Sequence, residues 1–180
     1  NWKMELAAVL VFVLVLGMTG LSGSVKAADQ TDLKTIDIMF VHDTHSHLNS
    51  FSTVVDEKQE MIGGFARIKT LIDEQKKKDP DTLVVDGGDF SMGTLVQTVF
   101  ETQAAEIRML GALGCEATTL GNHEFDYGMD TFLNLAERAG YEYICCNFID
   151  LKTGDTVFAP YAVETYGDTK VAYIGIDTPE

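Results

Sequence analysis

Four short β-rich runs, TIDIMFV (35–41), TLVVD (82–86), ATTL (117–120) and YEYICCNF (141–148), leave few folds open to this 180-residue chain. The stretches between them carry helical signals. Phe65, Ile68, Leu71 and Ile72 recur at helical spacing, and Lys76, Lys77 and Lys78 suit a helix C-terminus ahead of Pro80. Leu95 to Leu113 reads as one long amphipathic helix, with Val96, Val99, Phe100, Ile107 and Leu110 on its apolar stripe. A third helix near 130–139 is ended by Gly140. Strands that alternate with helices predict an α/β domain built from βαβ units around a largely parallel sheet. Segment 43–63 shows little periodicity and reads as a loop. Residues 157–166 and 170–176 read as a hairpin around a Gly-Asp-Thr turn.

Sites in such sheets form just beyond the carboxyl ends of the strands. The first run ends in VHDTHSH (41–47), the second in DGGD (86–89) and the third in GNHEFD (121–126). One D-x-H is a weak signal, and Gly with Asp after a strand is usually a turn. Three metal-competent clusters on one edge, separated by crossover helices, are far harder to reach by chance. Asp43 and His45 offer a carboxylate oxygen and an imidazole nitrogen, a mix that suits Zn²⁺, Mn²⁺ or Fe. Asp89 follows two glycines that let the backbone turn tightly, and its two oxygens can bridge two cations. Asn122 adds a neutral oxygen ligand. Two divalent ions about 3.5–4 Å apart can hold a hydroxide and stabilise its in-line attack at phosphorus. His123 can act in acid–base chemistry if a carboxylate fixes its tautomer, and Asp126 lies three residues on. Asp86 is read as a brace for its turn, Asp37 as an exposed strand residue, and His42 and His47 as supporting or exposed. Glu124 either supports the site or begins a solvated loop.

The motifs DTHSH, GGFARI (63–68), GGDFSMGT (87–94), LGNHEFDYG (120–128) and IGIDTPE (174–180) resemble the 5′-nucleotidase branch of the calcineurin-like metallophosphoesterases. The resemblance runs from about Lys34 to the last residue. It implies a layered α/β sandwich that hydrolyses nucleotide phosphoesters, as a 5′-nucleotidase or cyclic-nucleotide phosphodiesterase, with two divalent metal ions. It implies Asp43, His45 and Asp89 around one metal, and Asp89 and Asn122 on the other. His123, oriented by Asp126, would serve the transition state or leaving group, and Asn122 and His123 would meet the substrate. Family members add histidine ligands downstream and a further domain that selects the base. Residues 35–180 are therefore expected to be the N-terminal part of a catalytic domain, incomplete at its C-terminus and of little activity alone.

Residues Leu6 to Leu16 form an unbroken apolar run preceded by Lys3 and followed by small residues up to Ala27. Eleven residues are too few to span a bilayer, which needs about 20. Residues 1–27 are expected to be a secretory signal peptide, with an uncleaved anchor as the rival reading, and 28–34 a polar linker, placing the protein in the periplasm, at the cell surface or outside the cell. The formal net charge of −15 argues against nucleic-acid binding through a basic surface. It also means that an anionic substrate needs local positive charge. Cys115, Cys145 and Cys146 read as small strand residues rather than a disulfide framework. Two other readings stand beside the phosphoesterase. One is an exported, non-catalytic module derived from this fold. The other, ranked lower, is a zinc amidohydrolase built on the H-x-H of His45 and His47.

Overall fold

The β-rich runs pair edge to edge, as segments of β-branched and apolar residues do when both faces find cover. The computed structural model describes residues 34–178, so the leader read at 1–27 and nearly all of the linker at 28–34 lie outside the described residues. The described unit starts at Ile36. In chain order it contains β1 (Ile38–Val41), β2 (Phe51–Val55), β3 (Lys58–Ile62), α1 (Phe65–Lys78) and β4 (Leu83–Asp86). After a 3-10 turn at Leu95–Val99 come α2 (Phe100–Gln103), α3 (Ala105–Leu113) and β5 (Ala117–Thr118). A second 3-10 turn, Asn122–Phe125, leads to α4 (Met129–Ala136), β6 (Glu142–Tyr143), β7 (Tyr161–Tyr166) and β8 (Thr169–Ile174).

Strands β1, β4, β5 and β6 form one parallel sheet in the order β1-β4-β5-β6. Val41 pairs with Asp86, and Asp86 with Thr118, so three strands end level with one another. Helices α1, α2, α3 and α4 supply Phe65, Ile72, Phe100, Ile107, Leu110 and Phe132 to the core against this sheet. Strands β7 and β8 form the expected antiparallel hairpin. It meets the sheet where the Cys146 N–H bonds to the Gly175 carbonyl at 2.9 Å. A Cβ at position 175 would stand 2.0 Å from the Ile144 oxygen, so that approach requires glycine. No described helix is long and apolar enough to cross a membrane.

Two elements differ from expectation. The long helix over 95–113 is broken, because Ala104 takes a left-handed conformation (φ 47°) between α2 and α3. The break leaves Phe100, Ala104, Glu106 and Ile107 all buried, while Leu95 is 87% exposed. The segment read as a loop contains the antiparallel hairpin β2–β3, turned by Asp56 and Glu57 at φ 47° and 64°. Two-residue turns with positive φ at both positions match strand twist, and they usually announce themselves with Asn-Gly. Asp-Glu gives no such cue. The double change Asp56→Asn, Glu57→Gly relieves left-handed strain of about 1 kcal/mol. The β2–β3 amides should then exchange with deuterium several-fold more slowly; unchanged exchange would argue against strain in this turn.

Candidate metal centre and active site

The level strand ends bring together the three polar clusters. Beyond β1 and β4 the two loops continue to bond to each other: Asp43 N–H to the Gly88 carbonyl (3.0 Å), His45 N–H to Asp89 (3.1 Å) and Ser46 N–H to Phe90 (2.8 Å). Asp43, His45, Ser46 and Asp89 all lie at positive φ, 49°, 42°, 56° and 54°. Non-glycine residues avoid this region, and each such residue costs on the order of 1–3 kcal/mol unless its surroundings enforce it. Here the loop-to-loop ladder enforces it. The Thr94 hydroxyl adds a bond to the Ser46 carbonyl (2.6 Å), and the Ser46 hydroxyl donates to the buried Glu106 carboxylate (2.6 Å).

This backbone gathers one carboxylate oxygen each from Asp43 and Asp89 and one imidazole nitrogen of His45 within 4.8 Å of one another. His45 Nδ1 faces the carbonyls of Met92 (3.0 Å) and Ser91 (3.3 Å), so Nδ1 carries the proton and Nε2 keeps the lone pair that a cation could use. A histidine that donates one ring nitrogen to a backbone carbonyl is prepared to coordinate through the other. Nε2 stands 3.5 Å from Asp43 Oδ1. Two acidic oxygens and a free imidazole nitrogen in this space fit a divalent cation by chemistry and by preparation. His42 donates to Asp43 Oδ2 (2.7 Å), and this bond is the first cause holding the Asp43 carboxyl below its usual range.

Asn122 opens the 3-10 turn beyond β5 and is exposed. The next residue's N–H bonds to Asp89 Oδ1 (3.0 Å), which ties this turn to the Asp89 side chain. The His123 ring lies edge-on to His45 with centroids 5.2 Å apart. Its Nδ1 meets Asp126 Oδ2 at 2.7 Å, and this bond is the main reason its imidazole holds a proton above the ordinary histidine range. His47 is exposed and packs near Phe51 (centroids 5.7 Å), outside the ligand cluster, which removes the geometric basis of the H-x-H reading. Asp86 braces its turn: Oδ2 accepts from Gly88 N–H (2.9 Å) and the Thr118 hydroxyl (2.6 Å), and burial pushes its carboxyl up to about 6. Asp37 is half-buried and accepts from Gln75 (2.7 Å).

Glu124, whose role was open, is fully buried. Oε2 accepts from Asp89 N–H (2.8 Å) and Gly121 N–H (2.6 Å), and Oε1 from Phe90 (3.0 Å) and Ser91 (3.4 Å). Burial pushes its carboxyl up to about 8, against the pull of these donors. All four partners are donors, so each oxygen acts as an acceptor from two N–H groups. Periodicity could not have found this residue; its sequence cue is its place three residues after Gly121, the capping-box position at the start of a helical turn.

Residues 36–177 match the calcineurin-like phosphoesterase family, and the chain belongs to it. The chain is 32% identical over 149 residues to a NAD 5′-nucleotidase of Haemophilus influenzae, an alignment covering 79% of this chain and 24% of that protein. It is 27% identical over 187 residues to a 2′,3′-cyclic-nucleotide 2′-phosphodiesterase/3′-nucleotidase of Yersinia enterocolitica, covering 95% and 28%. Among solved structures, a 5′-nucleotidase precursor of Thermus thermophilus superposes with a TM-score of 0.70 at 30% identity, covering 80% of this chain and 29% of that one. The chain thus spans about a quarter of the length of the curated relatives it matches.

A Cβ at Gly121 would stand 2.3 Å from Asp89 Cγ and 2.7 Å from Asp89 N. Gly121→Ala should therefore displace Asp89, lower stability by about 1–3 kcal/mol and weaken Mn²⁺ binding. Calorimetry and urea denaturation measure both effects; binding as tight as wild type would show that Asp89 does not need this contact.

Proposed function

We propose that this chain carries the metal-binding half of the site of an exported hydrolase that cleaves nucleotide phosphoesters. The supporting observation is the gathering of Asp43, His45 and Asp89 at level strand ends with the His123 ring beside them. The substrate class follows from relatives whose names are those of nucleotidases and cyclic-nucleotide phosphodiesterases. In this reading residues 1–27 direct export, 28–34 are a linker, and 35–180 form the N-terminal part of the catalytic domain.

Asp43, His45, Asp89 and Asn122 would hold divalent cations, two in this reading and of the Zn²⁺ or Mn²⁺ type, which supply Lewis acidity and offset substrate charge. Asp89 has two oxygens and sits between the other ligand loops, which suits it to contact both positions. Asn122 contributes an oxygen without further negative charge. The Asp126 carboxylate accepts from His123 Nδ1, which leaves Nε2 as the other ring nitrogen and favours the imidazolium. His123 can then donate a hydrogen bond or a proton from Nε2 to a phosphoryl or leaving-group oxygen. The protein's overall charge repels phosphate, so substrate approach depends on the bound cations.

In the full-length protein, Asp89→Ala should remove most bound metal and most activity together, read by metal analysis and by release of phosphate from nucleoside monophosphates and cyclic nucleotides. Full metal occupancy in that variant would overturn the shared-ligand assignment. His123→Asn should lower kcat by roughly 10²–10⁴ and leave metal stoichiometry intact. Loss of one metal equivalent would instead make His123 a ligand.

A further inference from the structure

We propose that Glu124 is a positioning residue for the metal site, a buried carboxyl group whose four backbone N–H partners, at Asp89, Phe90, Ser91 and Gly121, hold the Asp89 loop in place before any cation arrives. The inference rests on the reading of Asp89 as a ligand, and it adds to that reading what sets the ligand's geometry.

Asp89 is held at three points. Its N–H goes to Glu124 (2.8 Å), its carbonyl accepts from His45 (3.1 Å), and its Oδ1 accepts from the N–H of His123 (3.0 Å). The first bond fixes the left-handed turn at φ 54°. The same carboxylate oxygen takes the N–H of Gly121, so one atom joins the loop after β4 to the loop after β5. The other oxygen takes Phe90 and Ser91. The Ser91 hydroxyl closes the assembly on the His123 carbonyl (2.9 Å). Glu124 therefore acts on Asp89, Asn122 and His123 through the main chain, without touching substrate.

The arrangement needs a carboxylate specifically, because each oxygen faces two donors. An amide presents one oxygen and one NH₂, so in either orientation glutamine sets its NH₂ against a pair of backbone N–H groups. Glu106 provides the contrast. It is equally buried, but among the described residues Oε1 alone has a partner, the Ser46 hydroxyl at 2.6 Å. A glutamine there can turn its oxygen to that hydroxyl.

The full-length wild type, Glu124→Gln and Glu106→Gln are titrated with Mn²⁺ by calorimetry, and amide exchange is followed in the metal-free proteins. Glu124→Gln should weaken Mn²⁺ binding by about 10–100-fold, the usual effect of losing a group that orients a ligand, while Glu106→Gln binds close to wild type. In metal-free wild type, the amides of Asp89, Phe90 and Gly121 should be protected despite lying in loops, and should exchange faster in Glu124→Gln. Equal weakening in both variants would reduce the effect to loss of a buried charge, and unweakened binding by Glu124→Gln would also overturn the proposal. If Glu124→Gln does not fold, the wild-type exchange decides: rapid exchange at these three amides rejects the clamp, and protection sustains it. A wild type that takes up no Mn²⁺ defeats the metal reading itself, and that failure is visible before any variant is compared.

Discussion

The backbone ladder that carries β1 and β4 past the sheet is the constraint on which the site depends. A parallel pair ordinarily ends where its hydrogen bonds end. Here the bonds continue from Asp43 to Gly88, from His45 to Asp89 and from Ser46 to Phe90. Continuation forces four non-glycine residues into the left-handed region, and the candidate ligand side chains of Asp43, His45 and Asp89 leave the chain from those strained positions. Gly93 belongs to the same constraint, since a Cβ there would stand 2.3 Å from the His45 carbonyl oxygen.

Electrostatics point the same way. The chain is strongly acidic, and its site edge collects Asp43, Asp89 and Asp126, with Asp177 near enough to Asp89 for the two charges to oppose each other. Such a gathering is unfavourable without cations. Local hydrogen bonds relieve part of the strain, with His42 on Asp43 and His123 on Asp126. Cations at Asp43, His45 and Asp89 would relieve the rest, so the arrangement is matched to a metal-loaded state.

Much of this was legible in the sequence, for a physical reason. Strand ends carry β-branched runs of period and composition that differ sharply from the polar clusters behind them, so DTHSH, GGD and GNHEFD stood out beside TIDIMFV, TLVVD and ATTL. The rest was illegible because it depends on tertiary closure. Ala104 is a strong helix former, and nothing local marks it as the point where two helices part. Asp56-Glu57 turns a hairpin without a turn signature. Glu124 reads as one more acidic residue until the glycines beside it bring four N–H groups within reach.

The sequence distances across these bonds also set an order of assembly. Hairpin β7–β8 closes at Tyr166 and Thr169, almost without a loop. Ser46 meets Glu106 across 60 residues, and Asp89 meets Glu124 across 35. Loop-closure entropy must be overcome before such distant contacts return any stabilisation, so they belong to the late stage of folding. On this ground the local hairpins are expected to close before the loops that gather Asp43, His45 and Asp89. Cation binding at Asp43, His45 and Asp89 would then report that these distant contacts have closed.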